Sequence, residues 1–154
     1  MSMRVPVKDN KKVILSMPEP DEWTFMSYVT GGGRVVSEDW DTQQNFEAKV
    51  ALDTFVEANR KTANYMNWPE WRHKMHGKPG KAGVFEFGFK SGGKSYRILC
   101  TFKGKMCIVI LCMAFHKQHV WDPPDVEKTV TDRAKEVTNG AATLKVIAKE
   151  EKEK

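Results

Sequence analysis

Between Val84 and Phe115 the chain carries three strand patterns separated by two short glycine-bearing turns, and no other stretch restricts the architecture as strongly. Val84 to Lys90 (VFEFGFK) puts Phe85, Phe87 and Phe89 on one side and Glu86, Gly88 and Lys90 on the other, the period of two expected of a half-buried strand. Ser91-Gly92-Gly93 turns the chain, Tyr96 to Lys103 reads as a second strand, and Gly104 marks a tight hairpin. Met106 to Phe115 is continuously apolar, as a central strand buried on both faces must be. It is also well short of the ~18 to 20 apolar residues that a membrane-spanning helix needs. Sequential strands joined by short turns form an antiparallel meander.

The flanking segments supply the rest of the layer. Trp23 to Thr30 (WTFMSYVT) is aromatic and β-branched and reads as a first strand ending at Gly31-Gly32-Gly33. From about Thr42 to Lys61, the residues Phe46, Val50, Phe55 and Val56, with alanines between, follow the spacing of one long amphipathic helix. Asn67 to His76 holds Pro69 between Trp68 and Trp71, which predicts a short helix or ordered loop before the GKPGKAG connector. Asp122-Pro123-Pro124 opens a second helix, with Val126, Val130 and Val137 on one stripe and a stop at Asn139-Gly140.

These elements predict an α+β domain: a four-stranded antiparallel sheet with an N-terminal helix on its phenylalanine face, followed by a C-terminal helix. Glu86, Gly88, Lys90 and Arg97 would then lie on the uncovered face. The division along the chain is an N-terminal arm over 1–22, the domain over 23–139 and a charged tail or frayed helix over 140–154.

Charge narrows the class of partner. The whole chain has 154 residues and a net charge of +5, yet residues 72–105 hold nine basic residues against the single acid Glu86, so all of the excess lies in that block. A polyanion is the partner favoured by charge, the bland alternative being a solvated basic rim. Cys100, Cys107 and Cys112 form no CxxC or CxxH pairing, and no apolar leader follows the first charges, so a reduced, cytoplasmic setting is expected. Cys100 and Cys107 are expected to face each other across the Gly104 hairpin. His73-x-x-His76 and His116-x-x-His119 could make a four-histidine zinc site, but nothing else has ligand spacing, and no metal or other cofactor is expected. Trp68 and Trp71 beside Arg72 could stack on bases, although core packing is the simpler role.

Several short motifs occur in succession: Gly83-Val84-Phe85-Glu86-Phe87, then Tyr96-Arg97-Ile98-Leu99, then Leu111 and Phe115 with Lys117, then Pro123-Pro124. In this order, from Gly83 to about Val137, the chain resembles the RelE/HigB superfamily of toxin-antitoxin toxins, particularly its phage-derived, HigB-like branch. The resemblance implies a RelE-like fold and a type II toxin that cleaves mRNA on the ribosome, is neutralised by a cognate antitoxin and acts away from membranes. The chain departs from the pattern at Gly88, where the family has arginine, at Met113-Ala114, where it has His-Gly, and at Gln118, where it has a second lysine. A non-catalytic RNA- or protein-binding relative, or a topoisomerase-poisoning toxin, therefore stands beside the endonuclease reading.

Metal-independent RNA cleavage uses the ribose 2′-hydroxyl as nucleophile and needs a base near it, an acid near the departing 5′-oxygen and cations on the phosphate. Arg97 is the leading phosphate clamp, its alternative being an ion pair with Glu86 on the neighbouring strand. Lys117 matches the family motif as a second catalytic cation. His116 and His119 follow the last strand, where a histidine can act as acid or base near neutral pH. Lys90, Lys94, Arg72 and Lys74 are the expected RNA-binding cations.

Overall fold

The computed structural model describes residues 5–9, 12–16, 21–41, 45–91, 93–117 and 120–147, with backbone only for 5–16 and for Lys117. Two antiparallel strands, β1 (Val5–Asp9) and β2 (Lys12–Ser16), form a separate two-stranded sheet within the expected N-terminal arm. The remaining strands are β3 (Thr24–Val29), β4 (Trp71–Lys74), β5 (Phe85–Ser91), β6 (Lys94–Phe102), β7 (Cys107–Lys117), β8 (Val120–Asp122) and β9 (Thr143–Val146). They build one seven-stranded sheet in the order β4-β5-β6-β7-β3-β9, with β8 also paired to β7. Three α-helices accompany it: α1 (Phe46–Asn59), α2 (Gly77–Lys81) and α3 (Val126–Asn139). Among the described residues no helix is long and apolar enough to cross a membrane.

The meander β5-β6-β7 forms as its alternation and turns predict. The sheet around it differs from a four-stranded antiparallel one. β3 lies beside β7 and runs parallel to it, from Thr24 opposite Cys107 to Ser27 opposite Ile110. The physical reason lies in β7: Ile108, Val109 and Ile110 are fully buried, so their backbone groups need partners on both edges. β9 then pairs antiparallel with β3 inside the stretch read as a charged tail or frayed helix. At the other edge, β4 arises from the segment read as a short helix or loop, and the GKPGK connector is itself the helix α2. Strands of three or four residues that show little burial leave no periodicity to read in the sequence.

The face expected to stay open is covered over much of its area. One core joins Phe25, Leu52, Phe55, Trp68, Phe87 and Ile98 between the sheet and α1. A second joins Val84, Leu99, Val109 and Leu111 to Val126, Val130, Ala134 and Val137 of α3. α3 ends as Asn139-Gly140 predicts, with Gly140 at φ +81° and its N–H donating to the carbonyls of Glu136 and Val137. In α1 the buried stripe is Ala48, Leu52, Phe55, Val56 and Asn59, so Phe46 and Val50, expected on that stripe, are 63% and 46% exposed.

An extra residue in β7 sets which side chains face which core. Leu99 lies opposite Cys112 and Cys100 opposite Ile110, which leaves Leu111 without a partner on β6. Leu111 and Cys112 therefore both face α3, and the alternation inverts beyond them. Ile108, Ile110 and Met113 face α1, while Ala114 and the residues in step with it face the other side. β3 pairs only as far as Ile110 and β8 only from Phe115 onward, so the orphaned Leu111 carbonyl meets no strand. Arg133 of α3 supplies the donor: its Nη1 lies 2.7 Å from that carbonyl. The guanidinium carbon sits 4.7 Å from the centre of the Tyr28 ring, and the Tyr28 hydroxyl donates to Glu136 one turn further along α3. Arg133→Met should leave the Leu111 carbonyl without its donor and lower stability by about 1–3 kcal/mol; a lower urea midpoint at unchanged slope would show it.

Candidate nucleic-acid interface

Register across four strands assembles one row of side chains. Lys90 of β5 lies opposite Ser95 of β6, Ser95 opposite His116 of β7, and His116 opposite Trp121 of β8. Directly opposed residues of antiparallel strands project from the same side, so these four line a single strip about 14 Å across three strand spacings. His116 stacks on Trp121 with ring centroids 4.5 Å apart and planes inclined by 30°. Lys90 is exposed and makes no ion pair among the described residues. The next row inward is Gly88, Arg97 and Ala114, on the same side and nearer α3. Without the Leu111 bulge, His116 would point into the α1 core.

Arg97 is held rigidly. Its Nε donates to Glu86 Oε1 at 2.7 Å and its Nη1 to the Tyr96 carbonyl at 3.0 Å. The ion pair is sheltered, with the Arg97 and Glu86 side chains 14% and 6% exposed. The second amino group, Nη2, forms no hydrogen bond among the described residues, and since no buried side-chain nitrogen there lacks a partner, it reaches solvent. Glu86 also meets His73, whose Nε2 is 3.6 Å from Oε2. His73 Nδ1 lies 2.9 Å from the Lys74 carbonyl, and because a carbonyl only accepts, Nδ1 carries the hydrogen. Gly88 makes this arrangement possible. A Cβ there would fall 2.6 Å from Arg97 Nη1 and 2.7 Å from the Tyr96 carbonyl. Gly88 thus provides the space over which the Arg97 guanidinium lies.

The other residues singled out in the sequence do not all join this strip. Lys94 faces the opposite side, with its ammonium 5.4 Å from the centre of the Phe115 ring. Arg72 and Lys74 are exposed on the edge strand β4: Arg72 occupies the register shift between Trp71 and His73, and Lys74 lies opposite Phe85. Lys117 closes β7 with its side chain outside the described residues, as is His119 altogether. Trp68 is buried in the α1 core and offers no ring to a base, and Trp71 packs against that core from the edge strand β4, on the side away from the strip. Cys100 lies opposite Ile110, and the Lys103 N–H donates to the Cys107 carbonyl, so the two cysteines do not face each other across the hairpin. All three thiols are free. Burial, only partly offset by Arg133, pushes Cys112 up to about 11, which leaves it a protonated, unreactive thiol at neutral pH. His73 and His76 stack 5.3 Å apart, yet among the described residues no three His, Cys, Asp or Glu side chains gather as metal ligands.

Sequence reasoning missed Ser95 and Trp121. Ser95 precedes the hydrophobic part of its strand, and Trp121 belongs to a three-residue strand, so neither carries a periodic signal. Together with Gly93, Lys94, Phe115, His116, Val120 and Asp122, they line a cleft of about 680 Å³ at the end of β7.

Comparison with known proteins locates the chain. The sequence profile of the family described as Phage derived protein Gp49-like (DUF891) matches residues 45–138, more than half of the chain, from α1 to the end of α3. No curated protein and no solved structure matches.

Removal of Arg97 tests the rigidity of the inner row. Arg97→Ala strands a buried carboxylate and should cost about 3 kcal/mol in denaturant unfolding, at the lower end for a broken buried pair because Arg97 retains some exposure. Adding Glu86→Gln should restore part of that loss. Gly88→Ala should cost about 1–3 kcal/mol through overpacking against the guanidinium, measured by the same unfolding curve.

Proposed function

The chain belongs to the Gp49-like family of phage-derived proteins, and from that membership we propose that it is the toxin of a type II toxin-antitoxin pair, an endoribonuclease that cleaves mRNA through the ribose 2′-hydroxyl. The observation that carries the reading is the strip Lys90–Ser95–His116–Trp121 beside the hydrogen-bonded Arg97, which gathers two cations, an imidazole and an aromatic surface on one sheet face. The charge distribution supports the same partner, since the excess of +8 over residues 72–105 includes both cations.

In this reading Arg97 Nη2 and the Lys90 ammonium hold the non-bridging phosphate oxygens of the scissile bond. Arg97 needs little reorganisation to do so, because Glu86 and the Tyr96 carbonyl already fix its plane. His116 takes the proton of the 2′-hydroxyl as that oxygen attacks phosphorus. The O2′–P bond forms, the P–O5′ bond breaks, and solvent water supplies the proton that the departing 5′-oxygen takes up. The products are a 2′,3′-cyclic phosphate and a 5′-hydroxyl end. The ribosome as the setting and a cognate antitoxin as the inhibitor belong to the same proposal, as does a cytoplasmic location.

Expression of the chain in a bacterial host, followed by primer extension across abundant mRNAs, tests it. Wild type should arrest growth and generate new mRNA 5′ ends. Lys90→Ala with His116→Ala should keep its thermal midpoint and lose cleavage by about 100-fold or more, the typical scale for removing a general base. Folded wild-type protein that produces neither arrest nor new ends would overturn the endonuclease in favour of a non-catalytic RNA-binding relative. DNA damage without mRNA loss would point to a topoisomerase instead.

A further inference from the structure

We propose that the cleft at the end of β7 is a nucleobase subsite, in which one unstacked base of single-stranded RNA lies against the Trp121 indole. This deepens the functional reading above and rests on it for the identity of the polymer. The cleft, at about 680 Å³, lies within the range typical of small-ligand sites.

Trp121 packs at the edge of the α3 core, but its indole is not tied down as those of the α1 core are. The indole N–H of Trp23 donates to the carbonyls of Thr62 and Ala63, and that of Trp68 to Thr62, so both rings are tied to the backbone. The Trp121 indole N–H makes no hydrogen bond among the described residues, and the half-buried side chain lines the cleft. Its cross-strand partner His116 stacks on it at 4.5 Å, which fixes the tilt of the indole and leaves a flat surface rather than a mobile side chain. An aromatic platform that borders a cation-bearing strip fits a base attached to a phosphodiester better than an apolar side chain of a protein. Lys90 and Arg97, in and beside the same row but strands away from Trp121, would then receive phosphates further along the RNA than those flanking the stacked base.

The test uses the full chain and a fluorescein-labelled 2′-O-methyl RNA hexamer, which cannot be cleaved, beside a hexamer of equal charge that lacks its bases. Wild type should bind the base-bearing hexamer at least about fivefold more tightly, the lower end of what one stacked base contributes. Trp121→Ala should abolish that preference while leaving affinity for the abasic hexamer unchanged, which also reports that the protein is folded. Trp121→Phe should retain most of the preference. Equal binding of the two hexamers by wild type, absence of binding to either, or a preference that survives Trp121→Ala would overturn the subsite. Failure here with mRNA cleavage intact removes the subsite alone. Base-dependent binding without growth arrest or new mRNA ends removes the endonuclease and leaves the subsite standing.

Discussion

One added residue in β7 organises both faces of this molecule. Leu111 has no partner on β6, so the strand alternation inverts beyond it and His116 emerges on the side opposite the α1 core. A bulge of this kind leaves a carbonyl that a buried strand cannot tolerate unpaired, and Arg133 of α3 supplies the missing donor at 2.7 Å. The same guanidinium rests over Tyr28, whose hydroxyl bonds Glu136, so β3, β7 and α3 converge on it. The helix that closes the second core thus also stabilises the strand geometry that presents the candidate site.

A second dependency links Gly88, Arg97 and Glu86. A guanidinium can lie flat on a sheet only where no side chain rises beneath it, and Gly88 meets that condition directly across from Arg97. Once there, Arg97 is bound by Glu86 and by its neighbour's carbonyl, and the pair neutralises most of its own charge. What remains outward is one amino group in a fixed orientation. Such a group contributes direction more than long-range attraction, and attraction must come from exposed lysines such as Lys90.

The ion pair that the sequence suggested as an alternative to a phosphate clamp is present, and the geometry makes the two roles compatible. Of the cations expected to meet RNA, Lys90 and Arg97 share a face, Lys94 lies over Phe115 on the other side at the margin of the cleft, and Arg72 and Lys74 stand on the outer edge. A net charge counted along the chain therefore overstates the charge density of any one surface. Strand alternation and a single register shift divide it.

Local pattern alone determined the meander, the presence of both long helices and the C-terminal stop of α3, because alternation, helical spacing, Gly104 and Asn139-Gly140 each act within a few residues. It also determined that Glu86 and Arg97 are neighbours, since two consecutive strands joined by a short turn bring them into register. Only the tertiary structure decided the parallel union of β3 with β7, the short strands at the sheet edges and the covering of the second face by α3. It likewise decided the meeting of His116 with Trp121, and the side on which His116 stands. These outcomes come from contacts between segments far apart in the chain and from one unpaired residue in β7. Burial and hydrogen-bond satisfaction act there across the whole sheet, and no local periodicity records them.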